Sequence, residues 1–93
     1  MIITQYSPRF IKKLKNVDIR IKKSFKEKLK IVEKNPQDPG LRNHELKKEY
    51  AGLRSIDVTA DYRAVYKEFQ EEEDTIIYFT HLGTHEELYE KTS

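Results

Sequence analysis

The chain has 93 residues and no cysteine. Disulfides and thiolate metal sites are excluded, and a reducing interior is permitted. No apolar run approaches the length of a membrane span, and the opening MIITQYSPRF lacks the basic-then-apolar order of a secretory signal. The expectation is a soluble, cytoplasmic protein with no membrane partner. Glycine-rich phosphate loops and serine-nucleophile motifs are absent. So is helical HExxH, which HEL at 44–46 and HEEL at 85–88 only echo. No spacing of the three histidines matches a known ligand set, so no metal or other cofactor is expected.

What the sequence does have is charge. Charged residues make up 37%, as much as the apolar ones and well above the usual quarter, which predicts a modest core under an ionic surface. Six Tyr and four Phe, with many Ile, Leu and Val, argue against disorder. The length suits one domain, residues 1–93. The net charge of +2 conceals a gradient. Residues 9–34 carry eleven Lys or Arg against three carboxylates, and residues 35–93 carry seven against thirteen. A basic half fits a polyanion or an acidic protein partner, and equally a solvated lysine-rich helix face.

The opening IITQY is a short β-prone run. Ser7-Pro8 then predicts a helix start, with the hydroxyl as cap and proline at the first helical position. Phe10, Ile11 and Leu14 share one side of a helix that stops near Asn16. Asp18 caps a second, whose Ile21, Phe25, Leu29 and Val32 recur at helical spacing. NPQDPG at 35–40 ends it. The period then changes to alternation in LRSIDV, YRAVYKEF and TIIYFTH, with QEEEDT as an acidic hairpin loop. These parts predict an α+β fold: a small antiparallel sheet with an N-terminal helical hairpin on one face, in the order β-α-α-β-β-β, with room for a short C-terminal helix.

The open face of such a sheet must take the polar residues of the second half. His44, Arg54, Asp57, Asp61, Arg63, His81 and His85 all lie there. Asp61 and Arg63 share a face if the strand begins that early. Imidazole can give or take a proton near neutrality, arginine can hold a phosphate by paired hydrogen bonds, and a carboxylate can orient an imidazole. Together they suffice for transesterification of RNA: a base for the 2′-hydroxyl, a cation for the phosphate, an acid for the leaving oxygen. Each residue also has a plainer reading. His44 suits a surface loop and His81 a strand end. Arg54 and Arg63 suit cross-strand pairs with acidic neighbours, and Tyr62, Tyr66 and Tyr78 suit the core. His85 follows Gly83 in what reads as a bend, and Tyr89 lies near a polar terminus.

Taken together, NHEL, AGLRSIDVTADYRAVYK and IIYFTHLGTHEELY resemble the RelE/ParE superfamily of bacterial toxins, most nearly its YafQ-type branch. The resemblance is strongest from His44 to Tyr89. It implies a RelE-like fold and a metal-free, ribosome-dependent mRNA endonuclease acting in the A site. A cognate antitoxin would cover it, and operator DNA would be met only through the antitoxin complex. Carried over by motif, His44, Asp61, His85 and Tyr89 are implied catalytic positions, and Arg63, with Arg54, would neutralise phosphate. Asp57 stands where the YafQ pattern has a further histidine. It either takes over that role or leaves the site with fewer imidazoles, and His81 lies near enough to compensate. ParE-like toxins of the same fold bind DNA gyrase and cleave no RNA, and a catalytically inactive relative is a third possibility. The nuclease reading requires His44, Asp61 and His85 to gather around one groove.

Overall fold

Local capping chemistry sets where the helices start. The computed structural model describes residues 1–89, beginning with β1 (Ile2–Tyr6). Ser7 follows, and its hydroxyl accepts from the Phe10 amide at 3.0 Å while Pro8 opens α1 (Pro8–Asn16). The same hydroxyl, buried, donates to the Thr80 carbonyl at 3.0 Å and pins the helix start to the last strand. Asp18 accepts from the Arg20 amide at 2.7 Å and opens α2 (Ile19–Lys34). Past Asn35 the chain reverses through a short 3-10 turn, Pro39–Leu41, whose Gly40 amide donates to Asp38 at 2.8 Å.

Four more strands follow: β2 (His44–Glu45), β3 (Arg54–Asp57), β4 (Tyr62–Glu71) and β5 (Asp74–Thr84), and then α3 (His85–Tyr89). The sheet order is β1-β5-β4-β3-β2. The expected meander is present as β3-β4-β5, with three refinements. The sheet is mixed, because β1 pairs parallel to β5, Ile2 opposite Thr75 and Tyr6 opposite Phe79. The helical hairpin acts as the crossover that such a parallel pair needs. His44, expected in a loop, forms the two-residue edge strand β2 against Ser55 and Arg54. The acidic loop is tighter than QEEEDT suggests, since only Glu72 and Glu73 lie outside the strands. Glu72 adopts φ 58°, a left-handed conformation that costs a non-glycine residue about 1–2 kcal/mol.

The helices cover one face of the sheet. Phe10, Phe25 and Phe79 meet with ring centroids 5.2–5.3 Å apart, and Tyr6 stacks on Phe79 at 5.7 Å. Ile56, Ala64, Tyr66, Ile77 and Leu82 complete this core. A bulge in β5 shifts the register, so Val65 faces His81 and Tyr66 faces Phe79. That extra residue puts Phe79 and Leu82, three apart, on the same core face and turns His81 and Gly83 to the other. Among the described residues no helix is long and apolar enough to cross a membrane.

Candidate active site

Register and strand parity assemble the second face. One row across the sheet reads His44, Ser55, Val65, His81, and the next reads Asp57, Arg63, Gly83. Above these rows lies an open groove of about 380 Å³, lined by His44, Asp57, Arg63, His85 and Tyr89, with Arg42 and Lys47 at its edge. Five sequence-predicted positions thus meet on one surface. A second groove, of about 410 Å³, lies between α1 and α2. Tyr6, Leu14, Phe25 and Leu29 make it apolar, and its only ionisable rim is lysine and one tyrosine, so it offers no acid–base pair.

Asp57 is the hub of the charge network. Its carboxylate oxygens lie 3.0 Å from Arg63 Nε and 3.2 Å from Arg42 Nε. Arg63 is further held by its own turn, donating from Nη1 to the carbonyls of Thr59, Ala60 and Tyr62 at 3.2, 2.9 and 3.3 Å. A carboxylate shared by two guanidiniums orients them and is poorly placed to act as a base. His44 Nδ1 lies 3.0 Å from the Arg42 carbonyl. A carbonyl only accepts, so the bond places a proton on Nδ1, and in that tautomer of the uncharged ring Nε2 presents the lone pair. Arg42 holds that carbonyl in position from a left-handed backbone, φ 52°, ψ 45°.

Gly83 does not bend the chain out of the strand, contrary to expectation. β5 continues through Thr84, and His85 is the first residue of α3. The turn from strand to helix is made by Thr84 and Glu87. The Glu87 amide donates to Thr84 Oγ1 at 3.0 Å, and the Thr84 amide donates to Glu87 Oε1 at 2.8 Å, a reciprocal capping box. Lys13 on α1 donates to the other carboxylate oxygen at 2.9 Å. Glycine at 83 leaves room for the cap: a Cβ there would lie 3.0 Å from Glu87 Oε1, a tight contact that the carboxylate would have to yield to. The Thr84 amide first, and then Lys13, hold the Glu87 carboxyl below the usual glutamate range.

The capped turn presents His85 and Tyr89 one helical turn apart, with ring centroids at 4.7 Å. Tyr50 packs edge-on against both Tyr89 and His81 and donates its hydroxyl to the Leu88 carbonyl at 2.8 Å. Burial pushes the Tyr50 hydroxyl up, so it remains a donor. The Tyr89 hydroxyl is buried without a hydrogen-bond partner among the described residues, at the wall of the groove.

The family model described as a bacterial toxin of a type II toxin–antitoxin system, YafQ, matches residues 3–90. The chain belongs to the YafQ family. It is therefore a toxin of a type II toxin–antitoxin pair. The fold agrees with YafQ from Escherichia coli strain BL21(DE3), at 22% identity and TM-score 0.77, covering 96% of this chain and 99% of the other. It also agrees with a YoeB/ParE toxin from Agrobacterium tumefaciens at 16% identity and TM-score 0.74, covering 88% and 97%. A DinJ–YafQ complex from E. coli matches at 23% identity and TM-score 0.65, covering 96% and 99%. No curated protein sequence matches the chain.

In this YafQ-family chain, three expected site residues lie apart from the groove. Asp61 precedes β4, which begins at Tyr62, so strand parity does not align it with Arg63. It lines a neighbouring hollow that shares His85 with the groove, and its carbonyl accepts from the His85 amide at 3.2 Å. Its carboxylate makes no hydrogen bond or ion pair among the described residues. Arg54 belongs to the other face, two residues before buried Ile56. There Nε donates to Asn43 at 2.7 Å, and the residue shares a hollow with Glu45 and Glu68. It makes a structural contact on that face and does not line the groove. His81 sits behind the aromatic ring of Tyr50, its ring nitrogens bonded to Arg9 and Thr80. Arg42 and Lys47 join the groove without a motif of their own in the sequence. The signal was the basic flank of the His44 motif, RNHELKK.

Proposed function

We propose that this toxin is a ribosome-dependent mRNA endonuclease, cutting in the A site through the ribose 2′-hydroxyl and silenced by its cognate antitoxin. His44 Nε2 takes the proton from the 2′-hydroxyl. The 2′-oxygen attacks phosphorus, the bond to the 5′-oxygen breaks, and His85 returns a proton to that oxygen, leaving a 2′,3′-cyclic phosphate and a 5′-hydroxyl. The cationic wall around Asp57 faces the phosphate as its charge builds. The Tyr89 ring packs on His85 at the groove and is placed to meet a base, while its hydroxyl is buried in the free protein. Asp61, with an unengaged carboxylate on the other side of His85, is the remaining acid–base candidate.

The required gathering of His44, Asp61 and His85 is met in part: Asp61 lies in the neighbouring hollow, and the reading rests on His44 and His85 lining one groove together with Arg42, Asp57 and Arg63. A toxin that only docks on a protein needs no such pair. The basic helical hairpin fits ribosomal RNA, and operator DNA is reached only with the antitoxin. The test is cleavage of a defined mRNA on programmed ribosomes by the wild type, His44→Ala and His85→Ala. Cleavage that falls at least about 100-fold in both folded variants is expected. Absence of cleavage by the wild type, with gyrase inhibited instead, assigns the chain to a ParE-like binding function.

A further inference from the structure

Two arginines meet at one carboxylate in the groove, and they are held very differently. Arg63 is 20% exposed, and its Nη1 is committed to three backbone carbonyls of its own turn. Swinging it onto a substrate would leave those carbonyls unpaired in a partly buried turn, a cost that substrate binding would have to overcome. Arg42 is 79% exposed and touches Asp57 through Nε alone. Its terminal amino groups make no hydrogen bond among the described residues.

From this contrast, and resting on the nuclease reading above, we propose that Arg42 grips the scissile phosphate, while Arg63 is a positioning residue that holds Asp57 and, through it, aims Arg42. The chemistry calls for such a group. A phosphate under attack gathers charge on its non-bridging oxygens, and a guanidinium with free terminal amines offers a planar fork of donors to two of them. Asp57 supplies one negative charge against two positive ones, so the trio keeps a net positive charge with which to meet an anion.

Backbone geometry links Arg42 to the base. The Arg42 amide donates to the Pro39 carbonyl at 3.2 Å, closing the 3-10 turn, and the left-handed residue then sends its own carbonyl to His44 Nδ1. A single residue thus sets the tautomer of His44 through its main chain and carries, on its side chain, a guanidinium whose terminal amines are uncommitted among the described residues, both at the same groove. The tie between proton acceptor and phosphate grip does not depend on the Arg42 side chain, so side-chain substitution separates the two roles.

The test uses a short RNA oligonucleotide with a 2′-deoxy nucleotide at its centre, titrated into ¹⁵N-labelled full-length protein and followed at the Arg42 Nε and His44 ring resonances. Wild type, Arg42→Ala, Arg42→Lys and Arg63→Ala are compared, with melting temperatures for each. Arg42→Ala is expected to weaken binding about tenfold or more and to cut ribosomal cleavage about 100-fold. Its melting temperature and the His44 ring tautomer should remain those of the wild type, and Arg42→Lys should recover only part of the loss. Arg63→Ala should lower the melting temperature. No oligonucleotide binding by the wild type, or equal binding by Arg42→Ala, overturns the assignment, as does Arg63→Ala losing binding with its stability intact. Arg42-dependent binding without ribosomal cleavage keeps the phosphate grip and removes the nuclease.

Discussion

Replacing Glu87 by alanine tests how His85 is held. The described part of α3 has five residues, far fewer than an isolated helix needs in water, so its order rests on its cap and its docking. Docking is supplied by buried Leu88 and by the Tyr50 hydroxyl on the Leu88 carbonyl. The cap is the Thr84–Glu87 pair. Glu87→Ala removes the acceptor for the Thr84 amide and the exposed contact with Lys13, whose share is small at such a surface. Losing a cap of this kind costs about 1 kcal/mol, which raises the undocked population of α3 about fivefold. Because the helix can open without the sheet, the melting temperature should fall by less than the roughly 4–8 °C that the same energy costs a domain of this size when lost globally. Hydrogen exchange makes the distinction: α3 amides should exchange about fivefold faster, while those of β4 and β5 stay unchanged. Cleavage follows the docked fraction and should fall much less than fivefold while α3 stays mostly docked, and Glu87→Gln, which keeps the acceptor oxygen, should restore most of the exchange protection. Unchanged exchange in α3 of the alanine variant would refute the capping argument.

Gly83→Ala pushes a methyl against Glu87 Oε1 and, at 3.4 Å, against Leu88 Cδ2, so activity should drop with the sheet intact; wild-type cleavage by this variant would show that the helix yields without cost. Ser7→Ala removes both the α1 cap and a buried bond to Thr80, and should destabilise the protein by about 1–2 kcal/mol in denaturant unfolding. Glu87 titrates lower when folded, so its contribution is complete above its unfolded value near 4.5 and is lost as pH falls through the folded value. Acid should therefore speed exchange in α3 only below about pH 4.5, and Glu87→Ala should abolish that dependence.

Much of the fold was legible because its signals are local. Ser7-Pro8 and Asp18 cap the helices they were expected to cap, and the four-residue spacing of Phe25 and its neighbours marked the buried stripe of α2. Alternation from Tyr62 onward marked β4 and β5. The parallel pairing of β1 has no local signal, since direction is decided by what lies between the strands. Glycine before a polar stretch commonly marks a bend, and that pattern at Gly83 is misleading here. The competing pattern, Thr84 followed three residues later by Glu87, was the better guide. Parity counted from Ile56 would have sent Arg54 to the core side and Asp57 to the open side. Nothing local marks Arg42 as the exposed partner of Asp57, because that pair is made only when the turn after α2 brings β2 alongside β3.

The central claim is that His44 and His85 move protons for an attack by the 2′-oxygen. The most direct measurement is cleavage of one mRNA on programmed ribosomes, with a ribose or a 2′-deoxyribose at the scissile nucleotide and the product ends identified by mass. The account predicts a 2′,3′-cyclic phosphate and a 5′-hydroxyl from the ribose substrate, and no cut in its deoxy counterpart at that position. Cutting of the deoxy substrate at the same bond would contradict it.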